Sequence, residues 1–254
     1  MNRHRLRLVT FDAFGTLFRM REHPALTYQR IAQAHGLKVV SEPDRLKASF
    51  QDAYRKQGAS NPVFGRLSQG SRPWWKSVVR NTLIGSGCPK ADVDGALDPV
   101  FAELFDLYAQ AAPYEVYPEV VPVLETLRTT VCEDKVPNGM GKGTKFWMGV
   151  VSNSDDRTEA ILQSLGLAKY FDFVLTAYHF GSEKPGRGIF DEARLLARNC
   201  KAEECLHLGD DLERDYNGPK LIGWNSVLIR RNNDHPVPAG VATASSLKAA
   251  FADD

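Results

Sequence analysis

Leu6-Arg7-Leu8-Val9-Thr10-Phe11-Asp12-Ala13-Phe14-Gly15-Thr16 is the stretch whose reading decides the fold. Leu6 to Phe11 is a short, largely apolar run with β-branched residues, and it ends at Asp12, three residues before Gly15. A strand buried on both faces reads as such a continuous run, so the segment predicts a central strand of a parallel sheet with Asp12 at its end.

The chain beyond it divides by rhythm. Helical periodicity covers 24–35, 42–55, 72–84 and 93–111, broken by Gly-, Pro- and Ser-containing turns, with no strand expected between Leu17 and Pro113. From Pro118 onward strands and helices alternate. A helix over 118–130 carries Val120, Val123, Leu124 and Leu127 on one face. Strands are expected at 146–151, 173–175, 205–208 and 226–229, with helices at 157–165, 188–199 and 212–222 and a closing helix at 246–251. Such alternation implies βαβ units, hence an α/β fold with a Rossmann-like parallel sheet and helices on both faces. The expected domains are a core from 1–19 and 113–254 and an inserted all-helical unit from 20–112. Glu133 to Lys145, with three glycines and no period, reads as a mobile surface insertion without chemistry.

Composition narrows the class. Lys and Arg number 32 against 31 Asp and Glu, so no basic excess points to nucleic acid or a membrane surface. The four cysteines, Cys88, Cys132, Cys200 and Cys205, have no zinc spacing and read as reduced, buried thiols. No apolar run approaches the roughly 20 residues needed to cross a bilayer. The expectation is a soluble intracellular protein of the cytoplasm, with the nucleus equally compatible and oligomeric state open.

Four polar signals sit just after expected strands: Asp12 with Thr16, Ser152-Asn153, Lys184-Pro185, and Gly209-Asp210-Asp211 followed by Asp215. Ligands bind outside the carboxyl ends of strands in open parallel sheets. Asp12 is a carboxylate able to act as a nucleophile and form an acyl phosphate. Ser152 and neighbouring amides suit oxyanion oxygens, and Lys184 adds a fixed positive charge that also keeps Asp12 ionised. Asp12 with Asp210 offers two hard oxygen ligands suited to a Mg²⁺ that keeps waters and takes a phosphate oxygen. The expected partner is a small, anionic, phosphorylated substrate.

The stretches Phe-Asp-Ala-Phe-Gly-Thr-Leu (11–17), Val-Val-Ser-Asn (150–153), Lys-Pro-Gly-Arg-Gly-Ile-Phe (184–190) and Gly-Asp-Asp-Leu-Glu-Arg-Asp (209–215) together resemble the haloacid dehalogenase superfamily, in its motif order. The resemblance covers about two-thirds of the chain, and within the superfamily the chain looks closest to the small hydrolase domain-containing 3 type. It implies that the helical insert is a cap. It also implies Asp12 as nucleophile, Ser152, Asn153 and Lys184 as phosphate contacts, Thr16 as catalytic support and Asp210 as metal ligand. The backbone carbonyl of Phe14 would be the other protein ligand to Mg²⁺, with Asp211 and Asp215 supporting the site from behind.

One position departs from the pattern. Phosphatases of the superfamily carry a second Asp two residues after the nucleophile, as acid and then base; here that residue is Phe14. General acid–base catalysis contributes roughly 10² to 10⁴-fold, or about 3–5 kcal/mol of barrier. Phe14 therefore predicts a slow or leaving-group-selective phosphatase. Two alternatives stand beside it: a catalytically weak or inactive phosphate-pocket protein, and a metal-independent 2-haloacid dehalogenase, whose first motif also carries an aromatic there. The acid at Asp210 and Phe190 in place of that group's tyrosine argue against the dehalogenase.

Plainer roles compete at several positions. Thr16 could bond the turn backbone, Asp211 could cap its helix, and Asn153 or Asp155 could cap the next one. Asp215 could pair with Lys220 on a solvated helix. Phe50, Tyr54, Trp74 and Trp75 read as the insert's own core, and Arg72, Lys76 and Arg80 as a solvated basic face. His207 reads as buried structure, and His179 as the more accessible but weak substitute for the missing acid.

Overall fold

The structure is a computed structural model describing residues 6–39, 41–129, 146–232 and 236–252. The expected insertion at 133–145 and Cys132 lie outside the described residues. The chain divides into two compact units, one formed by residues 1–19, 116–153 and 165–254, the other by residues 20–115 and 154–164.

In chain order the elements are β1 (Leu8–Phe11), β2 (Phe18–Met20), α1 (Pro24–Ala34), α2 (Pro43–Ser60), α3 (Ser71–Gly85), α4 (Lys90–Leu107), β3 (Tyr114–Val116) and α5 (Val120–Thr129). Then follow β4 (Trp147–Ser152), α6 (Thr158–Ser164), β5 (Phe173–Thr176), α7 (Ala177–Phe180), α8 (Arg187–Leu196) and β6 (Cys205–Gly209). A π-helical turn (Leu212–Asn217), α9 (Gly218–Leu221), β7 (Asn225–Ile229), β8 (Thr243–Ala244) and α10 (Leu247–Ala250) complete the chain.

The first unit holds a six-stranded sheet in the order β5-β4-β1-β6-β7-β8, parallel at every described pairing. β1 lies between β4 and β6, with Phe11 paired to Val150 on one side and Leu208 on the other. All four β1 residues are fully buried, as a strand covered on both faces requires. Leu8, Val151, Ile189, Phe190, Ala193, Cys205 and Trp224 form one core cluster at this sheet. Because β1, β4 and β6 are adjacent and parallel, the residues following each stand side by side at one edge.

The second unit is helical, with an aromatic interior. Trp74 is buried and meets Tyr54, Phe64 and Trp75, while Phe50 packs on Tyr28 and Tyr54. Asp155 accepts hydrogen bonds from the Trp75 indole and from the Nη2 of Arg157 at 2.6 Å, and its Oδ1 caps the Arg157 amide. The Arg157 guanidinium lies over Trp75 and Phe105, at 5.0 and 4.6 Å from the ring centroids. These contacts draw residues 154–164 into the helical unit, whereas the sequence assigned them to the α/β alternation. Of the basic residues, Lys76 pairs with Asp98 and Arg80 with Asp94, and Arg72 lies over Phe101 and Phe105.

Two expectations are corrected. β2 occurs where no strand was expected; it is three residues long, too short to show alternation, and forms a two-stranded sheet with β3. The expected continuous helix at 212–222 is a π-turn followed by one α-turn. Cys88, Cys200 and Cys205 are free and buried, as expected. Among the described residues no helix is long and apolar enough to cross a membrane.

Candidate active site

Asp12 follows β1 directly and takes its backbone bond from β6, its amide donating to the Leu208 carbonyl at 2.8 Å. Its Oδ1 accepts from the Nζ of Lys184 at 2.7 Å. The same ammonium donates to the Val151 carbonyl at 2.7 Å and to Oδ1 of Asp215 at 2.6 Å, so all three N–H donors are engaged. The Lys184 side chain is 1% exposed. Burial alone would lower its pKa, but the charges of Asp12 and then Asp215 outweigh burial and raise it, so it stays charged.

Lys184 is held at its backbone by Asn153. The Asn153 carboxamide accepts from the Lys184 amide at 2.7 Å and donates to its carbonyl at 2.8 Å, across a loop whose Lys184–Pro185 peptide is cis. Asn153 is therefore a positioning residue clamping the lysine loop, where the sequence reading put it against substrate. Ser152 ends β4, buried, two residues beyond Val150, which pairs with Phe11.

Asp215 is 2% exposed, and its partner is not Lys220. It accepts from Lys184, from Nε2 of His207 at 3.1 Å and from the Asp211 amide at 3.0 Å. Burial would raise its pKa, yet Lys184 and His207 hold it well below the usual carboxylate range. Burial lowers the pKa of His207, so the ring is neutral. One tautomer satisfies both of its neighbours, with Nε2–H donating to Asp215 and Nδ1 accepting from the Thr10 hydroxyl at 2.7 Å. His207 is thus buried structure, and His179 lies elsewhere, bonded to Thr176. Gly209 makes room for this network, since a β-carbon there would stand 2.2 Å from Cγ of Asp215.

Asp210 follows β6. Its carboxylate, with those of Asp12 and Asp215, forms a group whose oxygens lie within 4.8 Å of one another. Desolvation first, then Lys184 in opposition and Asp215 in support, leave Asp12 pushed up to about 6. Desolvation of the Asp210 carboxyl, then the charges of Asp12 and Asp215, push that group up to about 7, although the residue as a whole is exposed. One ammonium faces three carboxylates, and a hard divalent cation fits the two negative charges left over. Asp211 caps the π-turn by accepting from the amides of Glu213 and Arg214, which is the cap role rather than ligation.

The loop after Asp12 is tight. Gly15 has φ +79°, a conformation costly for any residue with a β-carbon. Phe14 is half-buried, with its ring 4.8 Å from that of Phe18 in an edge-to-face contact. The Thr16 hydroxyl is buried with no hydrogen-bond partner among the described residues, so the turn bond open to it is not made. Beside Asp210 and Gly15 opens a cavity of about 520 Å³, bounded also by Tyr117 and Arg231, within the size range of small-molecule sites.

The sequence reading missed the role of His207 in fixing Asp215, and it missed Arg231. Arg231 lies just past β7, next to β6 in the sheet, at the same strand-end edge that marked the other candidates. That placement was the available signal.

A family profile described as haloacid dehalogenase-like hydrolase matches residues 6–223. The human haloacid dehalogenase-like hydrolase domain-containing protein 3 is 36% identical over 230 residues, covering 90% of this chain and 83% of that protein. Among solved structures, the HAD-hydrolase YfnB from Bacillus subtilis bound to magnesium matches with TM-score 0.69 at 15% identity, over 97% of both chains. A 2-haloacid dehalogenase from Pseudomonas syringae pv. Tomato DC3000 matches with TM-score 0.64 at 24% identity, over 95% of this chain and 94% of that one. At these identities the two structures establish the fold.

Proposed function

The chain belongs to the haloacid dehalogenase-like hydrolase family, and from that premise we propose that it is a Mg²⁺-dependent phosphohydrolase with Asp12 as nucleophile, slowed or made selective by Phe14. The observation that carries this reading is the excess of carboxylate around Lys184. A single carboxylate beside Lys184 would suffice for attack on a haloacid carbon. Burial and then the charges of Asp12 and Asp215 raise the pKa of Asp210, a cost of gathering the carboxylates which a bound cation relieves.

Asp12, Asp210 and the Phe14 carbonyl would hold the ion. Asp215, saturated by Lys184, His207 and the Asp211 amide, would stand behind them. When bound, the ion offsets the charge of the acidic cluster and of an incoming phosphate.

The chain's own residues carry the steps. The Asp12 oxygen not bonded to Lys184 attacks phosphorus; the new P–O bond forms as the bond to the leaving oxygen breaks, and that oxygen leaves with the electron pair. The Ser152 and Thr16 hydroxyls donate to phosphate oxygens, and Lys184 holds Asp12 ionised and aimed. Water then attacks phosphorus as the bond between phosphorus and the Asp12 oxygen breaks, returning the carboxylate, and the water's proton leaves on the released phosphate or to solvent. The Phe14 ring can neither protonate the leaving oxygen nor take a proton from that water. Aryl and acyl phosphates, whose leaving groups need no proton, would be hydrolysed best.

Phe14 also favours a second reading, a protein that binds phosphate without turnover. Mg²⁺-dependent, multiple-turnover hydrolysis of p-nitrophenyl phosphate or acetyl phosphate, abolished in Asp12→Asn, is the expected result. A folded protein that traps beryllofluoride but never turns over would support the second reading. Halide release from 2-chloropropionate without metal would overturn both in favour of dehalogenation.

A further inference from the structure

We propose that Arg231 is a positioning residue for the nucleophile loop, gripping the carbonyls of Gly15 and Thr16 and so setting where Asp12, the Phe14 carbonyl and Asp210 stand. The catalytic meaning of this grip rests on the phosphohydrolase reading; the grip itself does not.

Arg231 donates from Nη2 to the Thr16 carbonyl at 2.6 Å and from Nε to the Gly15 carbonyl at 3.2 Å. Its Nη1 pairs with Glu119 at 2.6 Å. The guanidinium carbon sits 3.4 Å from the ring centroid of Tyr117, and the Tyr117 amide donates to the Leu17 carbonyl at 3.2 Å. The platform under the guanidinium is therefore tied to the same loop the guanidinium holds. The side chain is 15% exposed. Such a planar, stacked fork is a task that lysine cannot reproduce.

Two features separate positioning from charge supply. Glu119 balances the guanidinium, so Arg231 brings no net charge to the acidic cluster. Its hydrogen bonds to the loop go to backbone carbonyls, and the Gly15 backbone lies so close to Asp210 that a β-carbon there would stand 2.1 Å from Oδ2. Arg231 thus links the loop after β1 to the residue after β6, across 216 positions of sequence.

The test compares the full chain with Arg231→Met and Arg231→Lys. Hydrogen exchange would be read at the Gly15, Leu17 and Phe18 amides, which carry the loop's internal bonds. Calorimetry would read Mg²⁺ affinity, and p-nitrophenyl phosphate kinetics would give kcat and KM separately. For Arg231→Met, the expected results are exchange about tenfold faster or more, on the scale of a lost bond to a charged donor, weaker Mg²⁺ binding, and a fall in kcat at nearly constant KM. Arg231→Lys should recover only part of each, and it supplies the comparison if the Met variant does not fold. Wild-type exchange at these amides in the variants would overturn the clamp. A wild-type protein without Mg²⁺ binding or turnover would instead overturn the phosphohydrolase reading, leaving the exchange comparison to decide the clamp.

Discussion

A β-carbon on Gly15 would stand 2.1 Å from Oδ2 of Asp210. The loop after Asp12 and the acid after β6 therefore touch through a position where only hydrogen fits, and the same glycine holds φ +79°.

Gly15→Ala should both strain the loop and push the Asp210 carboxylate aside. The left-handed conformation costs roughly 1–2 kcal/mol for a residue with a β-carbon. Chemical denaturation should read a loss of that order, and Mg²⁺ titration a weakened site. A variant binding Mg²⁺ as well as the wild type would show that Asp210 is not a ligand.

Lys184→Met would leave Asp12 and Asp215 buried without their shared cation. Removing one partner of a buried pair costs about 3–5 kcal/mol. The loss measured by urea unfolding should be larger at pH 8 than at pH 5, because protonation of Asp12, already raised to about 6, removes part of the uncompensated charge. An equal loss at both pH values would contradict this arrangement.

Without metal, stability should fall as pH rises through the range where Asp12 and Asp210 ionise. Both bind protons more tightly folded than unfolded, with values of about 6 and 7 against an ordinary 3.8. Between about pH 4 and 7 the folded state thus holds more protons, and raising pH weakens it. Asp215, shifted downward, contributes throughout this window and loses its effect only in strong acid. Thermal unfolding in EDTA should show a shallower decline in Asp210→Asn than in wild type, and Mg²⁺ should stabilise the wild type more at pH 8 than at pH 5. An identical slope in the variant would remove Asp210 from the account.

On the phosphohydrolase reading, Phe14→Asp should supply an acid–base group two residues after Asp12. The ring's contact with Phe18 is lost, a cost on the order of 1 kcal/mol, while kcat on alkyl phosphates should rise on the order of 10²-fold. Burst kinetics would locate the gain in leaving-group departure or in dephosphorylation. Unchanged turnover would mean that Phe14 is not the limit.

Much of this was legible in residues 6–16 and their counterparts. A continuous apolar run marks a doubly covered strand, and an acid, a hydroxyl, a lysine and an acid pair each follow such a run, so sheet and site edge could be read together. Of the aromatics expected in the core of the helical unit, Trp74 is buried, Phe50 and Trp75 are half-buried, and Tyr54 packs on Trp74 from an exposed position. β2, β3 and β8 were not legible, because strands of two or three residues show no period.

What the sequence determined by itself is local: strand and helix periods, the glycine at a left-handed turn, and the kinds of side chain delivered to one sheet edge. Tertiary structure decided their partners. Lys184 meets Asp12 across 172 residues, and Arg231 meets Gly15 across 216. It also turned Asn153 toward the lysine loop, gave Asp215 to Lys184 and His207 rather than Lys220, and drew Asp155 and Arg157 to Trp75. Periodicity and propensity act over a few residues, whereas a buried charge takes whichever partner the packed chain brings within about 3 Å.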